Sequence, residues 1–313
     1  MKIVILDAKT LGDGIEFSEI EKIGDLEVFD TTSQDEVADR IRDKDVVILN
    51  KLKLNESNLK DAKNLKLICV TATGYDNIDT EYCRKNGIWV TNVKGYSTDS
   101  VAQLTIALVL EGVMKISEYR NFVSSGKYTE SGVANKLSPC FSEIAGKTWG
   151  IVGVGNIGRK VMGIAEAFSA NVICTKRTPE KDLNIVDLRY LMKNSDIISV
   201  HLPLNDETRG IITKEMIDSM KEGAVFVNVA RGLVADEKAL ADRAKRGEII
   251  LASDVYSIEP MPKDHPFYEI KDFPNVILTP HMAWGAIDAR RRCISEIKEN
   301  IIAFTKGIER NRV

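Results

Sequence analysis

Long apolar runs, paired cysteines and a basic excess are all missing from this 313-residue chain, and each absence removes a class of function. The most apolar helix-compatible stretch, residues 101–114, is interrupted by Gln103 and Glu111. It is too short to span a bilayer, so no membrane partner is expected. The five cysteines (Cys69, Cys83, Cys140, Cys174, Cys293) are isolated and include no Cys-x-x-Cys pair. They read as reduced thiols of a cytoplasmic protein, with neither a disulfide frame nor a metal site. The apolar run at the N-terminus, residues 1–7, is too short for a signal peptide. Lys and Arg number 43 against 46 Asp and Glu, a formal net charge of -3, and the signs are interspersed. No basic footprint calls for nucleic acid. Histidine is scarce: only His201, His265 and His281 are available as proton carriers near neutral pH.

What the chain does have is a succession of short β-rich runs spaced by helix-compatible segments. At this length, two domains of about 150 residues are expected. The first strand candidates are 2–6, 26–29, 46–49, 65–71 and 88–93, with helices over 36–42 (capped by Ser33 or Asp35), 56–62 and 80–86. The runs are continuously apolar rather than alternating, as in parallel sheets covered on both faces. A loop at 95–99 opens a long helix over 100–117, and the polar stretch 124–145 reads as an irregular connection packing on a partner subunit. Further strand candidates lie at 149–154, 171–175, 197–201, 224–229, 249–255 and 276–279. A closing helix repeats Ile287, Ile294, Ile297, Ile301 and Phe304 on one face. The expected fold is α/β: two doubly wound parallel-sheet domains of Rossmann or flavodoxin kind, with a cleft between them as the default ligand site.

One stretch organises the second series. Residues 147–159 read Lys-Thr-Trp-Gly-Ile-Val-Gly-Val-Gly-Asn-Ile-Gly-Arg, and a helix-compatible run follows. Gly153 permits a turn that a Cβ would forbid. Gly155 lets the backbone approach a pyrophosphate, and Gly158 lets the helix pack close on its strand. The N–H groups where the helix starts, at Asn156 and Ile157, then face an anion with the helix dipole behind them.

In an open parallel sheet, ligands sit beyond the C-terminal ends of the strands. The polar residues there are Gly74-Tyr75-Asp76, His201, Ala230-Arg231-Gly232, Asp254 and His281. From spacing alone His281 is either catalytic or structural. Glu259, in a loop after another strand, is either an imidazole partner or a solvated acid. Arg231 is either a carboxylate fork or a helix-end ion pair. His265 lies among Pro260, Pro262 and Pro266 and is expected at the surface.

These segments resemble the D-isomer-specific 2-hydroxyacid dehydrogenases along nearly the whole chain. The resemblance is carried by Ala72-Thr73-Gly74-Tyr75-Asp76-Asn77-Ile78-Asp79, the glycine turn, and His201-Leu202-Pro203-Leu204 with Thr208. It continues through Asn228-Val229-Ala230-Arg231-Gly232, residues 254–260, and Thr279-Pro280-His281. It implies a substrate domain of residues 1–97 plus 286–313 and a dinucleotide domain of 98–285. It implies that Arg231, Glu259 and His281 form the catalytic set acting with NAD(P) on a small 2-oxoacid. His201, Pro203, Thr208, Val229, Ala230, Asp254 and His281 would line the cofactor, and the N–H groups of Thr73, Gly74 and Tyr75 would hold the substrate carboxylate.

Asn50-Lys51 and His281-Met282-Ala283-Trp284 look like the glycerate dehydrogenase and hydroxypyruvate reductase subgroup, with Lys51 and Trp284 shaping the pocket. D-lactate dehydrogenase and a nucleotide-sensing, corepressor-like binding protein are the alternatives. Where NAD-specific relatives carry an acid for the ribose 2′-hydroxyl, this chain has Lys176-Arg177, which favours NADP without excluding NAD. The resemblance further suggests a homodimer built on the cofactor domain, with residues 101–116 as an apolar contact.

Overall fold

Each of the eleven strand candidates overlaps a strand, and every strand pairs in parallel. The structure, a computed structural model, describes residues 1–313. In chain order the elements are β1 (Lys2–Ile5), α1 (Ser18–Glu21), β2 (Asp25–Val28), α2 (Val37–Ile41), β3 (Val46–Leu49), α3 (Glu56–Leu59), β4 (Leu67–Val70), α4 (Thr80–Lys85) and β5 (Trp89–Thr91). Next come α5 (Thr98–Met114), α6 (Ile116–Ser124), α7 (Lys127–Glu130), β6 (Thr148–Val152), α8 (Asn156–Ala167), β7 (Asn171–Thr175), α9 (Leu188–Asn194) and β8 (Ile197–Val200). The chain ends with α10 (Lys214–Asp218), β9 (Ala224–Asn228), α11 (Glu237–Lys245), β10 (Ile249–Ser253), α12 (Pro266–Ile270), β11 (Val276–Leu278) and α13 (Ile287–Thr305). They divide into two units, Met1–Ser97 with Trp284–Val313, and Thr98–Ala283.

The first unit has a five-stranded sheet in the order β2-β1-β3-β4-β5. Side chains alternate across β1. Ile3 and Ile5 join Ala289, Cys293, Ile297 and Ile301 of α13 in one core, while Val4 and Leu6 join Val37 and Ile41 of α2 in another. Both faces are therefore covered, which is why the run is apolar throughout. Truncating one of these isoleucines to Ala would cost about 2–5 kcal/mol. Only β2, at the edge, is largely exposed. The helix after it starts at Val37 without a side-chain cap from Ser33 or Asp35. Instead the Ser33 N–H and hydroxyl both donate to the Glu36 carboxylate, at 2.8 and 2.7 Å.

The second unit has a six-stranded sheet in the order β11-β10-β9-β8-β6-β7. A further strand survives only as a bridge: the Cys174 N–H donates to Asn184 O and the Val186 N–H to Cys174 O, both at 2.9 Å. The strand order reverses about β6, so the turn at its C-terminal end lies at the switch point where such sheets bind ligands.

The expected helix over 100–117 is broken. Lys115 adopts a left-handed φ of 55°, and α5 and α6 meet at 65°. The Glu111 carboxylate accepts the Ser117 N–H at 3.0 Å, a cap for α6 that an unbroken helix would not need. Val101, Ala102, Leu108 and Val109 of α5 are buried in this unit, while Ala107 and Met114 are exposed. No single helix is long and apolar enough to cross a membrane.

Candidate active site

The glycine turn has the shape a phosphate cradle needs. Gly153 sits at φ +96°, where a Cβ would press on Leu202 at 2.8 Å and on His201 O at 3.1 Å. At Gly158 a Cβ would lie 2.2 Å from Gly153 O, so the first turn of α8 can touch the loop only because no side chain intervenes. At Gly155 a Cβ would meet nothing within 4 Å. That open side, faced by the first N–H groups of α8 at Asn156 and Ile157, fits a pyrophosphate and its charge.

His281 lies in the loop after β11 at φ 53°, a left-handed conformation that side chains avoid. Fully buried Asp254, just past β10, holds that loop. Its Oδ1 accepts the Met282 N–H at 2.9 Å and the Thr279 hydroxyl at 2.5 Å, and its Oδ2 accepts the Ala283 N–H at 2.8 Å. Its partners are thus the segment carrying His281. The imidazole Nδ1 in turn meets Glu259 Oε2 at 2.6 Å, with side-chain exposures of 20 and 31%. The other oxygen, Glu259 Oε1, accepts the Tyr256 N–H at 3.1 Å. The Tyr256 hydroxyl donates to Thr279 O at 2.8 Å. Burial, with the negative charges of Asp254, Glu259 and Glu237, pushes that phenol up to about 12, so it stays a donor.

Arg231 follows β9 in extended backbone. Asn228 shapes this loop: its Nδ2 donates to Arg231 O at 2.9 Å and its Oδ1 accepts the Ala230 N–H at 3.0 Å. One guanidinium N–H of Arg231 donates to Ala230 O at 2.9 Å. Gly232 is pressed onto the Glu259 loop so closely that a Cβ would lie 2.2 Å from Ser257 N. The loops carrying Arg231 and Glu259 are therefore in direct backbone contact.

His265 is not at the surface. It is buried, with Nε2 2.9 Å from Glu237 Oε2, because the prolines around it turn the chain inward to cap α12. Its Nδ1 accepts the Phe267 N–H at 3.1 Å.

His201, after β8, has Nε2 3.1 Å from the Ser199 hydroxyl and a buried Nδ1 with no hydrogen-bond partner. Burial pushes its imidazole down to about 3. It is neutral at ordinary pH, which suits a groove wall and not a proton carrier. The Thr208 hydroxyl donates to Pro203 O at 2.6 Å and so folds the loop beyond it. Val229 is buried at the end of β9, beside Ala230.

Lys176 and Arg177 stand at the end of β7 as expected, but both are paired with acids. Glu180 meets Lys176 directly and also meets Arg159 at 2.5 Å, while Arg177 meets Glu207 at 2.7 Å. Those two cations hold the Glu180 carboxyl down to about 2.

In the first unit, buried Asp7 accepts the N–H groups of Asn50 at 2.9 Å and Lys51 at 2.8 Å, fixing the turn after β3. Burial raises its carboxyl above the usual range despite those bonds. The turn after β4 is held by Thr73, whose hydroxyl donates to Val93 O at 2.8 Å, and by Asn92, whose Nδ2 donates to Thr73 O at 2.7 Å. The N–H groups of Thr73, Gly74 and Tyr75 have no acceptor within the chain, which leaves a row of donors suited to an anion. Trp284 packs against the α13 core of this unit.

A doubly wound sheet, a glycine cradle at its switch point and an imidazole–carboxylate pair among its strand ends together define a dinucleotide-dependent oxidoreductase. Comparison with known proteins narrows the class. Residues 106–283 match the family model described as D-isomer specific 2-hydroxyacid dehydrogenase, NAD binding domain. The chain is 34% identical to a hydroxypyruvate reductase of Blautia hydrogenotrophica over 98% of each protein. It is 33% identical to a glycerate dehydrogenase of Methylorubrum extorquens, over 100% of this chain and 98% of that one. Among solved structures, an acyclic imino acid reductase in complex with NADPH and D-Arg superposes with a TM-score of 0.88 at 32% identity, covering 100% of both chains. A D-lactate dehydrogenase from Aquifex aeolicus, complexed with NAD and lactic acid, gives 0.87 at 29%, covering 98% of this chain and 96% of that one. The chain belongs to the D-isomer-specific 2-hydroxyacid dehydrogenase family. It is an oxidoreductase that uses a nicotinamide cofactor to reduce a 2-oxoacid.

Asn228, Glu237 and Tyr256 had no role in the sequence reading. Asn228 carried a signal, since an Asn two residues before a small residue at a strand end is a turn former. Glu237 carried none, because an acid in the first turn of a helix is ordinary.

Proposed function

We propose that this enzyme reduces hydroxypyruvate or glyoxylate to the corresponding 2-hydroxyacid, with Arg231, Glu259 and His281 as its catalytic residues. The observation that carries the assignment is the 2.6 Å contact between His281 Nδ1 and Glu259 Oε2. It supports a tautomer in which Nδ1 donates to the carboxylate, which leaves Nε2 as the nitrogen to serve a substrate oxygen. Bound NAD(P)H supplies the hydride that adds to C2 of the oxoacid. His281 gives its Nε2 proton to the oxygen developing negative charge at C2, and Glu259 stabilises the imidazolium before that transfer. Arg231 presents a guanidinium fork to the substrate carboxylate or carbonyl oxygen. The N–H groups of Thr73, Gly74 and Tyr75 receive the carboxylate, with Lys51 and Trp284 bordering the same substrate. The hydroxypyruvate reductase, glycerate dehydrogenase and glyoxylate reductase relatives support this choice of substrate.

The decisive assay is a panel of hydroxypyruvate, glyoxylate and pyruvate at equal concentration with each reduced cofactor. Activity confined to pyruvate makes the protein a D-lactate dehydrogenase, and inertness to all three refutes the proposal. The full-length likeness to the imino acid reductase favours a second reading, so the panel includes oxoacid plus amine. His281→Ala should abolish turnover with NADH affinity within about twofold.

For the cofactor we propose that Lys176 and Arg177 accept a 2′-phosphate, making NADPH at least as good as NADH. The NADPH-bound neighbour supports this, and a kcat/KM ratio above tenfold in favour of NADH would refute it. We also place the enzyme in the cytoplasm, on five free cysteines, and as a homodimer through the cofactor unit. Exposed Val123, Val133, Leu137 and Phe141 beyond α5 support the dimer. A monomeric mass by light scattering overturns it.

A further inference from the structure

We infer that Glu237 and His265 form a buried strut that positions Glu259 against His281, a role resting on the catalytic assignment proposed above. Their side chains are 7 and 2% exposed. Glu237 Oε1 accepts the Ser257 N–H at 2.9 Å, and Oε2 meets His265 Nε2 at 2.9 Å. Because His265 Nδ1 accepts from Phe267, the imidazole proton sits on Nε2 and is donated to Glu237. The Ser257 hydroxyl lies 3.3 Å from the same nitrogen. Burying a carboxylate is unfavourable unless donors surround it, and an apolar side chain would fill a merely structural site at less cost.

The position of these donors gives the carboxylate its purpose. Ser257 follows Tyr256, whose N–H donates to Glu259 Oε1, and Glu259 Oε2 is the atom that meets His281. Glu237 opens α11 six residues after Arg231, with Gly232 pressed on the Tyr256–Ser257 peptide between them. One carboxylate thus ties the loop of Arg231 to the loop of Glu259. Neither strut residue touches reacting atoms, so both are positioning residues. Of the charged or titratable groups around the strut, Asp254, Tyr256 and Glu259 lie on the segment it holds, and Arg209, Lys214, Glu215 and Asp236 line a cavity together with Glu237 and Ser257.

Two variants test the strut. In Glu237→Gln the amide accepts from Ser257 or from His265 but not from both, and His265 cannot change tautomer without losing the Phe267 N–H. In His265→Asn the shorter side chain keeps the cap on α12 but does not reach Glu237. The first readout is kcat against NADH Kd, with folding checked by near-UV circular dichroism. The second is the imidazole tautomer of His281 from proton–nitrogen correlation spectra at alkaline pH. The spectra are tractable because the chain has three histidines. For both variants kcat should fall at least about tenfold with Kd within about twofold, and His281 should shift from the Nδ1–H tautomer toward a mixture. Folded variants with wild-type kcat and an unchanged tautomer overturn the strut, as does a loss of kcat matched by equal loss of NADH binding. If the wild type is inert to every oxoacid, the substrate reading fails, and the tautomer shift still decides the strut.

Discussion

Replacing Glu259 by Gln removes one charge and one acceptor while keeping the volume of the side chain. In the wild type both oxygens face donors: Oε2 faces His281 Nδ1 at 2.6 Å and Oε1 the Tyr256 N–H at 3.1 Å. An amide offers one acceptor, so either the tyrosine N–H or the imidazole loses its partner. A hydrogen bond to a charged group contributes about 1.5–3 kcal/mol. The pair is 20 and 31% exposed, so solvent screening places the loss near the middle of that range, about 2 kcal/mol. The imidazolium needs the bond most, so the form of His281 that gives the proton becomes about 2 kcal/mol less stable and kcat falls by up to about thirtyfold. The assay is hydroxypyruvate reduction at saturating NADH, with NADH affinity measured by fluorescence. A variant within threefold of wild-type kcat, or one impaired only in KM, would refute the proposed pairing.

Three further outcomes follow from the geometry. His201 is held at about 3 in the fold against an ordinary 6.5, so between those limits the unfolded chain binds the extra proton; stability is complete above pH 6.5 and falls by up to about 1.4 kcal/mol per unit below it. His201→Gln should therefore lose about 2 kcal/mol less than wild type between pH 7 and 5 in urea unfolding, and an equal decline in both proteins would contradict this. Gly158→Ala puts a Cβ 2.2 Å from Gly153 O, and should cost about 2 kcal/mol or more in thermal unfolding together with most of the NADH binding; normal binding would show that the turn can relax. Glu180→Ala frees Lys176 and Arg159 and should raise affinity for 2′,5′-ADP several-fold with little change for 5′-AMP by calorimetry; equal change for both nucleotides would argue against a 2′-phosphate site.

Apart from the exposed edge strand β2, the parallel strands were legible because two covered faces leave little room for polar residues, and that composition is visible without knowing what covers it. The candidates 46–49 and 171–175 match β3 and β7, and most other strand ends were read one or two residues too long, since the groups that end pairing are set by neighbouring strands. The break at Lys115 was not legible: no proline or glycine marks it, and the Glu111–Ser117 bond that caps α6 exists only once the bend is made. His281 and Glu259 were readable as a pair only through family resemblance, because 22 residues separate them and no periodicity connects them. His265 was misplaced for a physical reason. A proline-rich segment is normally a surface loop, but here the histidine nitrogen caps a buried helix start and the prolines set the path that brings it there.

Asp254 shows how such a site is held together. The resemblance implies that Asp254 lines the cofactor, and its carboxylate also accepts from Thr279, Met282 and Ala283, which bracket His281. A residue held at φ 53° carries about 1–3 kcal/mol of strain, and it persists only where the surroundings over-determine it. Three bonds to one buried charge, each of about 1.5–3 kcal/mol, are enough to do so. Glu237 acts the same way on the neighbouring loop through Ser257 and His265. The imidazole and its carboxylate thus meet at 2.6 Å because each lies on a loop fastened by a buried acid. Both loops leave the same edge of one parallel sheet, after β10 and after β11, so the sheet register sets the distance that the acids then lock.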